Sequence, residues 1–222
     1  MRYLGLALFA EGPTDYQFFP PVLRRATEEL CLRDARFSVE VSEVLRLYTP
    51  YVYRDTDLAT QILSASREAL GAFNILFIHT DGAGNPAGAY EERVKPARDH
   101  IMAELARQQE RIVGVVPVRE MEAWMLADGD ALRGAFGTVL SDSALGIPTR
   151  PREVEGIFDP KQALEQSYGR VVGGRRRSKR KAADFFDAIG ERVRLERLRE
   201  VPAYQCFENE LHMALIELGY LS

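Results

Sequence analysis

No stretch of this 222-residue chain approaches the roughly 18 consecutive apolar residues of a membrane-spanning helix, so a membrane-embedded protein is not expected. Cysteine is almost missing. Cys31 and Cys206 form no metal-binding spacing and no disulfide framework, which makes reduced thiols in a cytoplasmic setting the expectation. Internal repeats and low-complexity tracts are absent, which argues against a solenoid or a disordered linker protein. The glycines of residues 82–88 lack P-loop spacing, so a nucleotide cradle is not expected there either. The apolar run after Arg2 is short for a secretory signal and stops at Glu11, and it reads as a strand. What remains is a chain with 46% hydrophobic residues, enough to bury an ordinary core as one domain or one domain plus a small appendage.

The chain is organised around residues 6–16, LALFAEGPTDY, where an apolar run ends at a carboxylate. Leu4, Leu6, Ala7, Leu8 and Phe9 suit a strand buried on both faces, and Gly12 and Pro13 end it. Thr14 and Gln17 have the spacing of a capping box, which predicts a helix from Thr14 to about Leu32 with Asp15 in its first turn. Glu11 and Asp15 are thereby expected at the carboxyl end of a central strand, where open α/β sheets place ligands. Capping by Asp15 and a surface turn at Glu11 are the plainer uses of the same residues.

Further along, Phe37, Val39 and Val41 alternate like an edge strand, and Tyr48, Tyr51 and Tyr53 follow in a loop. These tyrosines suit either packing at a strand end or stacking on bases. Residues 58–70 predict a helix, and residues 74–78, NILFI, a second buried strand that ends in His79, Thr80 and Asp81. A helix marked by Val94, Ala97, Ile101 and Leu105 leads to a third buried strand, residues 112–118, and then to Glu120 and Glu122. If that last junction is helical only one of the two glutamates faces the site, with Glu122 favoured because Trp124 and Leu126 brace its segment. Strands alternating with helices imply right-handed crossovers and a parallel sheet. The division expected is an α/β core over residues 1–145 and a helical appendage over 146–222.

Three buried strands thus each end in acid. Carboxylates gathered without thiols, and with one histidine among them, form an oxygen-rich site suited to magnesium or manganese, metals that activate water and stabilise charge in phosphoryl transfer. The appendage carries a dense basic tract with Arg175, Arg176, Arg177, Lys179, Arg180 and Lys181, in a chain whose net charge is −4. A solvated loop is the common fate of such a run, and a nucleic-acid backbone is the counter-charge it fits.

At this point the residues resemble the Toprim superfamily of topoisomerases, primases and the overcoming-lysogenization-defect nucleases. There, Glu-Gly ends the first strand and Asp-x-Asp a later one. Here Glu11 and Gly12 within EGPTD match the first and look closest to the overcoming-lysogenization-defect type, because Asp15 is also present. In the second motif His79 stands where the first Asp would be, before Thr80 and Asp81. PVREMEAWMLAD, DPK at residues 159–161 and SKRK look like the Toprim-like family called domain of unknown function 4276, over nearly the whole chain. The resemblance implies a Toprim-like, mostly parallel sheet flanked by helices with a C-terminal helical appendage. It also implies a metal-dependent nuclease or related phosphodiester-cleaving enzyme of bacterial defence or a mobile element.

On that reading Glu11 is metal ligand or general base, and Asp15, Asp81 and Glu120 or Glu122 are ligands. His79 is a ligand or proton carrier. Lys161, Lys179 or Lys181 stabilises phosphate charge. The substrate would be DNA or RNA, and a homodimer or a partner protein encoded nearby stays open. Two alternatives stand beside it: a nucleic-acid-binding or regulatory subunit with a degenerate site, which the His79 departure favours, and a phosphotransferase acting on small nucleotides.

Overall fold

The computed structural model describes residues 1–104, 110–173 and 180–222. Four strands, β1 (Arg2–Phe9), β2 (Val39–Leu47), β3 (Ile75–His79) and β4 (Arg111–Val115), form one sheet in the order β2-β1-β3-β4. Every pairing is parallel, so all four carboxyl ends lie along one edge.

The continuous apolar runs are explained by burial on both faces. Leu4, Leu6, Leu8, Phe77, Val113 and Val115 enter one core, while Ala7, Phe9, Leu76, Ile78 and Ile112 enter the other. β2 alternates in sequence because it is an edge strand, and only Val44 and Leu47 of it are buried. It runs further than its apolar pattern suggests. β4 is shorter than residues 112–118, because Pro117 has no N–H to continue a ladder. Even so, Gly82 N donates to Pro117 O (3.0 Å) and Gly84 N to Val118 O (2.7 Å), so the two strand exits stay together. A Cβ on Gly82 would lie 2.4 Å from Pro117 O, so this close approach demands glycine.

Helix α1 (Asp15–Asp34) follows β1 directly. The Thr14–Gln17 capping box does not form: Thr14 is already helical in its backbone and its side chain makes no capping bond. Asp15 ties the turn instead, accepting a hydrogen bond from Gly12 N (2.8 Å). Tyr16 on the same turn donates its hydroxyl to Leu47 O and accepts from Ala10 N, which joins the exits of β1 and β2. Helix α2 (Leu58–Glu68) is capped by Asp57, whose carboxylate accepts from Thr60 N (3.0 Å). A helical stretch begins earlier than Val94, as α3 (Pro86–Ala89), a π turn (Tyr90–Val94) and α4 (Lys95–Glu104). Helices α2 and α4 cover one face of the sheet.

Beyond β4 come α5 (Glu122–Leu126), α6 (Gly129–Phe136), α7 (Asp142–Leu145) and α8 (Pro160–Val172). They are followed by α9 (Phe186–Arg192), α10 (Leu195–Leu198) and α11 (Pro202–Glu217). These share one apolar core with α1 and the other face of the sheet. Its centre is Trp124 of α5, fully buried, edge-on to Phe19 of α1 and to Tyr204 of α11. Phe19 in turn packs on His79, with ring centroids 4.4 Å apart. Helix α11 also closes the β4 edge: Glu210 accepts from Gly114 N (3.1 Å), Tyr90 Oη (2.5 Å) and Arg98 (3.0 Å). The α/β class and the parallel sheet flanked by helices are those expected, and they are consistent with a Toprim-like fold. No helix among the described residues is long and apolar enough to cross a membrane.

Candidate functional site

The exits of β1, β3 and β4 surround a cavity of about 270 Å³. Its lining includes Glu11 and Asp15 from the β1–α1 junction, His79 and Asp81 from β3, Glu120 and Glu122 from the β4–α5 junction, and Lys161 from α8. Adjacent strands lie about 4.8 Å apart, so side chains leaving three neighbouring strands at one edge meet over a small opening.

His79 is almost fully buried, and its Nδ1 lies 2.9 Å from Val115 O. A carbonyl only accepts, so Nδ1 carries the proton in that bond, and in the neutral ring Nε2 presents its lone pair to the cavity. Nε2 is 3.6 Å from both Asp15 Oδ2 and Asp81 Oδ1. A backbone-anchored histidine and a histidine facing carboxylates are therefore one arrangement here.

Asp81 is half exposed as a side chain (49%), yet its Oδ1 is covered and has no hydrogen-bond partner. Burial raises its pKa; His79 opposes the rise, while Asp15, Glu120 and Glu11 add to it. Glu122 is buried and its pKa is pushed up to about 7, first by burial, then by Glu120 and Asp81 against the opposing charge of Lys161. Glu120 precedes the helical turn and Glu122 begins it, and both line the cavity. Glu120 Oε2 accepts from the Lys161 amide (3.2 Å), which fixes the start of α8 beside the β4 exit.

Glu11 is held from the other side. Its Oε1 accepts from Thr80 Oγ1 (2.7 Å) and from Arg93 (3.1 Å), and the same Arg93 nitrogen donates to Thr80 Oγ1 (2.9 Å). Arg93 is the site residue that sequence reasoning missed. It lies in the π turn with Tyr90: Tyr90 bonds Glu210 at the β4 edge, and Arg93 bonds Glu11 and Thr80 beside the cavity. Only an irregular turn within an otherwise helical pattern could have signalled it.

The donors are of the type that suits a hard divalent cation: carboxylate oxygens, one of them covered and unpartnered, beside an imidazole nitrogen anchored through its other nitrogen. They are gathered but not at coordinating positions: among the described residues no group of three or more His, Cys, Asp or Glu side chains is placed to hold a metal ion.

Arg175, Arg176, Arg177 and Lys179 of the basic tract lie outside the described residues. Arg180 lies over the Phe185 ring, 5.7 Å from its centroid. Lys181 leads into a short turn, its N–H donating to the Asp184 carboxylate (3.1 Å). Immediately after it, Ala182 and Ala183 line a cleft of about 50 Å³ that shares Thr14, Glu122 and Lys161 with the acidic cavity. The exit of the tract is thus beside the acids.

Compared with known proteins, the chain matches one family model, described as Domain of unknown function (DUF4276), over residues 10–212. Neither a curated protein nor a solved structure matches it.

Proposed function

The chain belongs to the DUF4276 family, and from that premise we propose that it is a metal-dependent nuclease, a phosphodiester hydrolase of the Toprim and overcoming-lysogenization-defect type. One observation carries the reading: three neighbouring parallel strands deliver Glu11 and Asp15, His79 and Asp81, and Glu120 and Glu122 to one cavity, with Asp81 Oδ1 left covered and unpartnered. The order of EGPTD, HTDG and EMEAW along the chain supports the same reading.

Asp15, His79 and Asp81 would hold a magnesium or manganese ion, with Glu120 or Glu122 completing the set. Such an ion, when bound, lowers the pKa of water and stabilises the charge developing on phosphate. Val115 O keeps Nε2 of His79 directed at the cavity throughout. Glu11, held by Thr80 and Arg93 at the rim, is placed to take a proton from attacking water. Arg93 and Lys161 bring positive charge to an otherwise acidic opening, where they would hold the phosphate oxygens. The basic tract would retain the strand. Two free cysteines suit the reducing cytoplasm in which such an enzyme would act.

A second reading is favoured by the absence of a closed donor set among the described residues and by His79 in place of an aspartate: a nucleic-acid-binding subunit that does not cleave. A panel of single- and double-stranded DNA and RNA, incubated with magnesium, manganese or chelator, separates the two. We expect metal-dependent cleavage that falls to background in Asp81→Asn. Binding without cleavage under every metal would leave the second reading, and turnover of mononucleotides alone would indicate a small-molecule phosphotransferase.

A further inference from the structure

We propose that the exposed ring of Phe158, backed by the guanidinium of Arg119, is a stacking platform for an unpaired base, so that the strand at this site is single-stranded. The inference rests on the reading above that the substrate is a nucleic acid.

Phe158 is 82% exposed. Leaving a phenyl ring in water forgoes roughly 1.5–3 kcal/mol of burial, which a ligand stacked on it would recover in part. The backbone on either side of it is fixed. Ile157 N donates to Val154 O (3.2 Å), Asp159 caps α8 by accepting from Gln162 N (2.7 Å), and Lys161 N is bound to Glu120. Arg119 lies over the ring, 4.8 Å from its centroid, and its Nε is covered with no hydrogen-bond partner among the described residues. Stacking on Phe158 is therefore part of what holds this guanidinium. One face of the ring is taken by a cation, and the rest faces solvent.

Position makes the platform relevant. Arg119 is bonded in sequence to Glu120, and Phe158 is three residues before Lys161, so its Cα lies within about 11 Å of the Cα of Lys161, and both Glu120 and Lys161 line the acidic cavity. A base stacked there belongs to a nucleotide flanking the phosphate held at the cavity. In a duplex the base faces are already stacked, so only an unpaired or extruded nucleotide can use the ring. The same construction recurs at the far end of the sheet edge, where Tyr51 is 81% exposed with Arg54 5.2 Å from its ring centroid, just past β2. From β2 to β4 is about 14 Å across three strand spacings, a span that a few nucleotides of a single strand would cover.

The test is equilibrium binding of fluorescent single-stranded and duplex oligonucleotides of equal length, in chelator so that nothing is cleaved, with cleavage assayed in parallel. Phe158→Ala is expected to lower single-strand affinity roughly 5- to 150-fold and leave duplex affinity unchanged, with Phe158→Trp retaining both. Unchanged single-strand affinity in Phe158→Ala, an equal loss for both forms, or no binding of either form by the native protein overturns the platform. Cleavage that persists while Phe158→Ala binds normally would remove the platform and leave the nuclease. Ring-dependent binding without cleavage under any metal would do the reverse.

Discussion

Glu122 sits where a carboxylate is least comfortable, buried beneath Glu120 and Asp81 with its pKa raised to about 7. A carboxyl whose folded pKa exceeds its unfolded value binds more protons when folded, so its ionisation opposes folding. That cost is absent below about pH 4.5, grows between there and pH 7, and is complete above it. Glu122→Gln is therefore expected to match the native protein in stability near pH 4.5 and to exceed it at pH 8, by at most on the order of 3 kcal/mol. Chemical denaturation at the two pH values measures this; a difference that does not change with pH would contradict it. At this scale the sequence was informative where acid follows an apolar run, as at Glu11, Asp81 and Glu122. It was silent on Arg93 and Arg119, whose roles come from a π turn and from a ring about forty residues away.

Among elements, the joint between α6 and the segment before α10 depends on Asp128. Fully buried, it caps α6 through Asp130 N and accepts from the backbone, Nε and Nη2 of Arg194 at 2.7–2.9 Å. Burial pushes its pKa up, and the bonds to Arg194 more than offset that, holding it below the usual carboxylate range. Its contribution is thus present above the unfolded pKa of about 3.9 and lost as pH falls through the folded value. Asp128→Ala is expected to cost about 2–3 kcal/mol near neutrality, less than for a wholly buried pair because Arg194 can turn to water. That deficit should shrink below about pH 4; urea unfolding at pH 7 and pH 3.5 compares the two. Strands were legible because runs such as residues 75–78 are apolar at both parities, as burial on two faces requires. The capping box was not, since spacing alone cannot tell that Thr14 is helical in its own backbone and that Asp15 makes the turn's bond.

For the molecule as a whole, net charge is −4, and the acids are concentrated where a phosphate would have to approach. Attraction must then come from elsewhere in the chain, and Arg175, Arg176, Arg177 and Lys179 are its densest source. If those four meet phosphates, log affinity should fall with log salt at a slope of about −2.8 for a single strand or about −3.6 for a duplex. Replacing all four with Ala should nearly abolish the slope, and a titration series from low to moderate salt would show whether it does.

Trp124 bears on Phe19, Phe19 on His79, and Tyr204 and Phe207 of α11 bear on Trp124. Translation delivers these parts in the order of their numbers, acids first and the supporting helix last. A chain still emerging from the ribosome therefore carries Glu11, Asp81 and Glu122 before Tyr204 and Phe207 are there to back Trp124, and through it Phe19 and His79. If the protein cuts nucleic acid as proposed, a site whose aromatic support is completed only with α11 would spare the messenger that encodes it.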